Sequence, residues 1–276
     1  MGISKLEPPK LNCDTLEKLL ELFVQTEVNR SGFEHVLFGL SGGIDSAVVA
    51  AICVRALGKE RCLGVMMPYK TSSQASEDDA RVVAEQIGLR VEKVDISGMA
   101  DGYSLKDITP FRKGNLLARL RMATLFDLAA RDKALVVGTS NKTELLLGYS
   151  TWYGDGAWSL CPIGDLYKQQ IVALAQCLGL PPVIWEKPPT ADLWDGQTDE
   201  SELGFSYDDA DRYLWMRVDL RIDKRSIVAS GFNEDTANRI EKRIALSHFK
   251  RNQPPIAKLQ VRSVGTDYLY ARDTGT

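Results

Sequence analysis

Phe38-Gly39-Leu40-Ser41-Gly42-Gly43-Ile44-Asp45-Ser46 stands between a short apolar run, Val36 to Leu40, and an alanine- and valine-rich stretch that ends at Gly58. The run reads as a buried strand. The stretch reads as a helix that is apolar nearly all round and stops at a glycine. Glycines between a strand and a helix allow positive φ and let backbone N–H groups approach an anion, and the helix N-terminus adds its positive dipole. This is the layout of a phosphate cradle. It lacks the lysine of G-x-x-x-x-G-K-[ST] and does not fit G-x-G-x-x-G. Asp45 stands where that lysine would be. A carboxylate beside bound phosphates calls for a divalent cation between them, so Asp45 is a candidate magnesium ligand.

Outward from the loop, apolar runs alternate with helical patterns, the signature of an α/β chain with a parallel sheet and helices on both faces. The expected strands are Val36 to Leu40, Cys62 to Met67, Arg90 to Ile96 and Leu135 to Val137. Leu16, Leu19, Leu20, Phe23 and Val24 predict an amphipathic helix before the first strand. Further helices are expected over Glu77 to Ile87, Leu116 to Ala130, Lys168 to Leu178, Tyr207 to Trp215 and Glu234 to Leu246. Periodicity fails from Ser97 to Asn115, which reads as a long irregular connection, and again from Trp185 to Glu202, which reads as a surface excursion.

Composition sets the outer bounds. The chain has 276 residues, 44% hydrophobic and 26% charged, which suits one soluble α/β domain over residues 1–276, with a core of about 14–259 and a tail of 260–276. A net charge of -3 and a pI near 5.6 argue against nucleic acid or an acidic membrane as partner, so an anionic ligand must be held by local groups. Cys13, Cys53, Cys62, Cys161 and Cys177 are odd in number and scattered, which predicts free thiols and no zinc site. With no signal peptide and no apolar run long enough to span a bilayer, the expected location is the cytoplasm.

Ser41-Gly42-Gly43-Ile44-Asp45-Ser46 resembles the pyrophosphatase loop of the N-type ATP pyrophosphatases, which split ATP into AMP and pyrophosphate to adenylate an acceptor. The ordered blocks that follow narrow the resemblance. Ala118-Arg119-Leu120-Arg121-Met122, Val136-Val137-Gly138-Thr139-Ser140-Asn141, Glu144, Tyr153-Gly154-Asp155-Gly156, Pro162 to Lys168, Pro188 to Leu193 and Thr198-Asp199-Glu200 are together similar to the ammonia-dependent NAD synthetase family. The similarity runs from about Asp14 to Leu259. It implies a Rossmann-like fold of the adenine nucleotide alpha hydrolase type and the last step of NAD biosynthesis: a ligase that amidates deamido-NAD with ammonia through an acyl-adenylate.

The resemblance also implies roles. Gly39, Leu40, Ser41, Gly42, Gly43, Ile44, Asp45, Ser46, Thr139, Lys168 and Thr190 would contact ATP. Asp45 and Glu144 would hold magnesium, with Asp45 and Lys168 catalytic. Arg119, Trp152, Ser159, Phe249 and Lys250 would contact deamido-NAD. A homodimer is implied as well. Because the similarity uses nearly the whole chain, ammonia is expected free or from a separate partner. Two positions depart from the family's usual residues. Trp152 replaces a lysine, and its indole either stacks on a substrate ring or packs locally; Phe249 replaces a histidine. Ser159 stands where some members have an aspartate. Two other classes of function stay open at this point: a tRNA-modifying ATP pyrophosphatase, which would need reactive cysteines and a basic surface, and a non-catalytic nucleotide-binding module.

Overall fold

The computed structural model describes residues 6–103, 107–187 and 198–262. Helix α1 (Cys13–Arg30) leads into strand β1 (His35–Gly39) and helix α2 (Ile44–Leu57), followed by β2 (Cys62–Met66), α3 (Gln74–Ile87) and β3 (Arg90–Lys93). Next come α4 (Ser97–Gly102), α5 (Pro110–Asp132), β4 (Ala134–Val136), α6 (Lys142–Leu147), α7 (Lys168–Cys177) and α8 (Pro182–Trp185). The remaining helices are α9 (Asp199–Leu203), α10 (Tyr207–Leu214), α11 (Lys224–Ala229) and α12 (Glu234–Leu246).

The four strands are parallel in the order β3-β2-β1-β4. Side chains alternate across each strand, so every strand feeds two helix layers. Val36 and Phe38 of β1 join a core with α1, α2, α3 and α7, while Leu37 between them points into a second core against α5. β2 repeats the pattern, with Cys62 and Met66 in the first core and Leu63 and Val65 in the second. Burial of this kind stabilises by roughly 1.5–3 kcal/mol per large aliphatic side chain. A third cluster gathers Leu147, Tyr167 and residues of α9 to α12.

All four expected strands form, three with ends displaced by a residue and the third shorter, since pairing of β3 stops at Lys93. The irregular stretch is partly corrected. Residues 97–102 are helical, and α5 starts at Pro110 rather than Leu116 because Thr109 caps it by accepting the Arg112 N–H. Gly114 is absorbed into its buried side. In α1 the buried stripe is Leu20, Val24 and Val28, while Leu19 and Phe23 face outward.

One expectation about the cysteines is overturned. Cys13, the first residue of α1, and Cys177, the last of α7, form a disulfide with Cα atoms 6.1 Å apart. Both helices pack on α2, which brings together residues 164 apart in sequence. Cys53, Cys62 and Cys161 are free thiols as expected, all with pKa raised by burial.

Candidate active site

Strand order reverses beside β1, with β2 and β3 on one side of it and β4 on the other. Loops leaving the C-terminal ends of β1 and β4 therefore diverge and open a crevice between them, where open α/β sheets bind ligands. The loop after β1 is Leu40 to Gly43, and Gly43 caps α2 in an extended conformation. Ile44, Asp45 and Ser46, whose first-turn N–H groups have no helical acceptor ahead of them, all line the crevice, where a helix N-terminus suits an anion. Ser46 Oγ ties the turn by donating to Gly43 O at 2.8 Å and accepting from Ser41 N at 3.3 Å. Gly42 has φ +80°, and a Cβ there would lie 2.1 Å from the Ser76 carbonyl oxygen. Only glycine fits.

The loop after β4 supplies the facing wall. Asn141 and Glu144 form a capping box on α6: the Asn141 side chain accepts the Glu144 N–H at 3.0 Å, and Glu144 accepts the Asn141 N–H at 3.2 Å. The fully buried Asn141 then donates from Nδ2 to Asp45 Oδ1 at 2.9 Å, linking the two walls. Lys168, the first residue of α7, is only 4% exposed. Its ammonium lies 2.5 Å from Asp45 Oδ2 and 3.4 Å from Glu144 Oε1, above the Tyr207 ring. Burial alone would lower the Lys168 pKa, but the two carboxylates outweigh it and hold the pKa up. Burial, together with the charge of Asp45, pushes Glu144 up to about 8.

Asp211, fully buried on α10, fixes the start of α7. It accepts from Thr143 Oγ1 at 2.5 Å and from the Gln169 N–H at 2.8 Å, and Thr143 in turn accepts the Lys168 N–H at 3.1 Å. Asp199, also buried, accepts from the hydroxyls of Tyr149 and Tyr207 at 3.1 Å each. Burial raises the pKa of Asp199, an effect Lys168 opposes.

A cavity of about 770 Å³ joins these walls. It is lined by the whole of Gly39 to Ser46 and by Thr139, Glu144, Lys168, Phe249 and Lys250. Lys250 spends its ammonium on the Gly148 and Ser150 carbonyls at 2.7 and 2.5 Å. Arg119, Trp152 and Ser159 do not line the cavity. Arg119 is exposed and donates through Nε to the Trp152 carbonyl at 3.3 Å. Ser159 extends the sheet edge, its N–H bonded to Val136 O at 2.8 Å. Thr190 lies outside the described residues.

Residues not singled out for a role from sequence include Asn141, Asp199, Asp211 and Lys187, which lines the cavity and donates to Asp79 at 2.9 Å. An Asn-x-x-Glu signature after a strand was the one local signal for Asn141. Asp211 carries none, because its partners lie 68 and 42 residues away.

Fold and crevice together define a nucleotide-binding α/β protein with a phosphate-type loop and a paired-carboxylate centre. Residues 16–254 match the NAD synthase family model, and the chain belongs to that family. It is 47% identical over 272 residues to the NH(3)-dependent NAD(+) synthetase of Chlorobaculum tepidum, covering 97% of this chain and 98% of that one. The solved NH3-dependent NAD synthetase of Campylobacter jejuni superposes with a TM-score of 0.73 at 34% identity, over 90% of this chain and all of that one. A structure of an NMN synthetase from Francisella tularensis superposes at 0.80 with 28% identity, over 91% of this chain and all of that one. The fold is therefore the Rossmann-like adenine nucleotide alpha hydrolase type.

Proposed function

We propose that this chain is an ammonia-dependent NAD synthetase, a carbon–nitrogen ligase that converts deamido-NAD to NAD while splitting ATP into AMP and pyrophosphate. The observation that carries this proposal is the ammonium of Lys168 held between Asp45 and Glu144 beside the glycine loop. Two carboxylates converging on one cation next to a phosphate cradle suit magnesium, which takes one or two carboxylates and fills its sphere with water and phosphate oxygens. Asp45 and Glu144 are the residues that would hold it. When bound, magnesium neutralises charge on the phosphates.

The chain's own groups account for the rest. Gly39 to Ser46 offer amides and a helix N-terminus to the phosphates, with Thr139, Lys168 and Thr190 as further ATP contacts. Lys168 offsets charge on the departing pyrophosphate once the nicotinate carboxylate has attacked the α-phosphorus. Arg119, Trp152, Ser159, Phe249 and Lys250 orient deamido-NAD so that its carboxylate meets ATP, and the cavity walls shield the acyl-adenylate from water until ammonia attacks its carbonyl. No nucleophilic side chain is required. The proposal includes a single catalytic domain, a homodimer and a cytoplasmic location; no helix among the described residues is long and apolar enough to cross a membrane.

Purified protein incubated with ATP, magnesium and candidate acceptors tests it. AMP formed only when deamido-NAD and ammonium are both present supports the assignment, and ATP held without cleavage points instead to a binding module.

A further inference from the structure

Lys187, just beyond α8, is a cation at the phosphate end with no task in the reaction so far. Its ammonium donates to Asp79 Oδ2 at 2.9 Å and to Ser76 Oγ at 3.3 Å, two acceptors on α3. Ser76 is also the residue against which the glycine loop rests, since its carbonyl oxygen occupies the space a Cβ on Gly42 would need. The ammonium is therefore bound to a direct neighbour of the loop. Gly42, Ser76 and Lys187 all line the cavity, whereas Asp79 does not. The Lys187 side chain keeps 31% of its surface exposed and the Asp79 side chain 12%. The pair thus presents its positive member to the cavity and keeps its negative member behind.

Charge argues for a second lysine here. Lys168 lies between Asp45 and Glu144, so two carboxylates already draw on its ammonium before any phosphate arrives. When the bond from the α-phosphorus to the bridging oxygen breaks, its electron pair stays on that oxygen, and pyrophosphate leaves with one more negative charge than it carried within ATP. A cation placed where that charge develops lowers the barrier. Lys187 has the reach for it, with a compact ammonium on a flexible four-carbon stem. Its departure from Asp79 costs little, because an ion pair partly open to water is weak. A clamp would use the same contact differently, fastening the stretch after α8 to α3 and nothing more.

We propose that Lys187 is a second catalytic lysine: its ammonium leaves Asp79 for the terminal phosphates in the glycine loop, balances part of the charge that pyrophosphate gains on departure, and returns to Asp79 once pyrophosphate is gone. The proposal rests on the ATP-splitting reaction assigned above. Under it the two members of the ion pair act in opposite senses, Lys187 holding pyrophosphate and Asp79 competing for the same ammonium. In a clamp they act in the same sense, because loss of either member breaks the same contact.

The test measures affinity for magnesium pyrophosphate by titration calorimetry, and kcat for AMP formation with deamido-NAD and ammonium, for the wild type, Lys187→Met, Lys187→Arg and Asp79→Asn. Lys187→Met should bind pyrophosphate about tenfold more weakly and lose about tenfold in kcat, as for removal of one charge-assisted hydrogen bond. Lys187→Arg keeps the charge and should recover most of both. Asp79→Asn frees the ammonium and should bind pyrophosphate about threefold more tightly, the effect of deleting a partly exposed competing ion pair. If Lys187→Met does not fold, Asp79→Asn decides by itself, since a clamp gives weaker binding there and a catalytic lysine tighter. Weaker or unchanged binding in Asp79→Asn, or wild-type affinity and turnover in Lys187→Met, overturns the proposal, while AMP formation by the wild type leaves the ligase assignment standing. A wild type that forms no AMP overturns both.

Discussion

The two ends of the cavity are built differently. At the phosphate end, Asp45, Asn141, Glu144 and Lys168 are joined directly to one another, and Lys168 is locked from behind by Thr143 and Asp211. At the end proposed for the acceptor, Phe249 and Tyr153 are half exposed, Arg119 and Trp152 stand outside the cavity lining, and the hydrogen bonds of the Lys250 ammonium among the described residues go to backbone carbonyls. A polyphosphate carries the same charge in every substrate, so its site can be prebuilt and rigid. Recognition of the acceptor depends on surface shape, where aromatic and cationic side chains can be exchanged without disturbing the core.

If the phosphate end acts as one locked unit, breaking it should cost more than any change at the rim. Asp45→Asn removes a charge but little volume, and kcat for AMP release should fall at least about a hundredfold with the thermal midpoint nearly unmoved. Retained turnover would defeat the metal and phosphate assignment. Asn141→Ala leaves both carboxylates in place but unlinks them and uncaps α6. Turnover should drop about tenfold to a hundredfold, as when a group orienting a metal ligand is removed, and about 1 kcal/mol of stability should go with the cap. A loss of stability without loss of turnover would reduce Asn141 to a structural cap.

Cys13→Ser asks whether the rigidity of α7 depends on its far end. Under oxidising conditions the variant should lose about 2–4 kcal/mol of stability, measured by denaturant unfolding. Turnover should stay within a factor of about two, because Lys168 is held from Asp211 and not from Cys177. Equal stability of variant and wild type would mean the bond does not form in solution.

Glu144→Gln, read through stability without magnesium rather than through turnover, gives the smallest shift and the finest comparison. The folded state raises this carboxyl from its ordinary 4.5 to about 8, so it favours the protonated form. Its contribution to stability is therefore fully present below about 4.5 and is lost as pH rises through 8. Without magnesium or nucleotide, the thermal midpoint of the wild type should decline over that window. The glutamine variant should lack this component and gain on the wild type above pH 8. Parallel midpoint curves for the two proteins would show that burial and the charge of Asp45 do not raise the Glu144 pKa.

The phosphate end was also the more legible end. The glycine loop lies within nine residues between a strand and a helix, and local pattern suffices for such a unit. Lys168 was legible only through resemblance, since a lysine opening a helix is ordinarily solvated; nothing local announces the carboxylates that bury it. Trp152 and Phe249 were both visible as departures, but not as the edge-to-face neighbours they are in the fold. Arg119 and Ser159 were named for the acceptor and stand outside the cavity of the single chain, Arg119 exposed on α5 and Ser159 on the sheet edge.

Sequence by itself therefore determined the strand–loop–helix unit, the alternation that makes a parallel α/β sheet and the acidic residue at the loop, because each depends on contacts among residues close in the chain. Tertiary structure alone decided that Asn141 would join Asp45 across 96 residues, that Lys168 would sit between two carboxylates and that Cys13 would meet Cys177. Those juxtapositions follow from strand order and from two helices packing on α2, and packing is a property of the whole core that no short segment encodes.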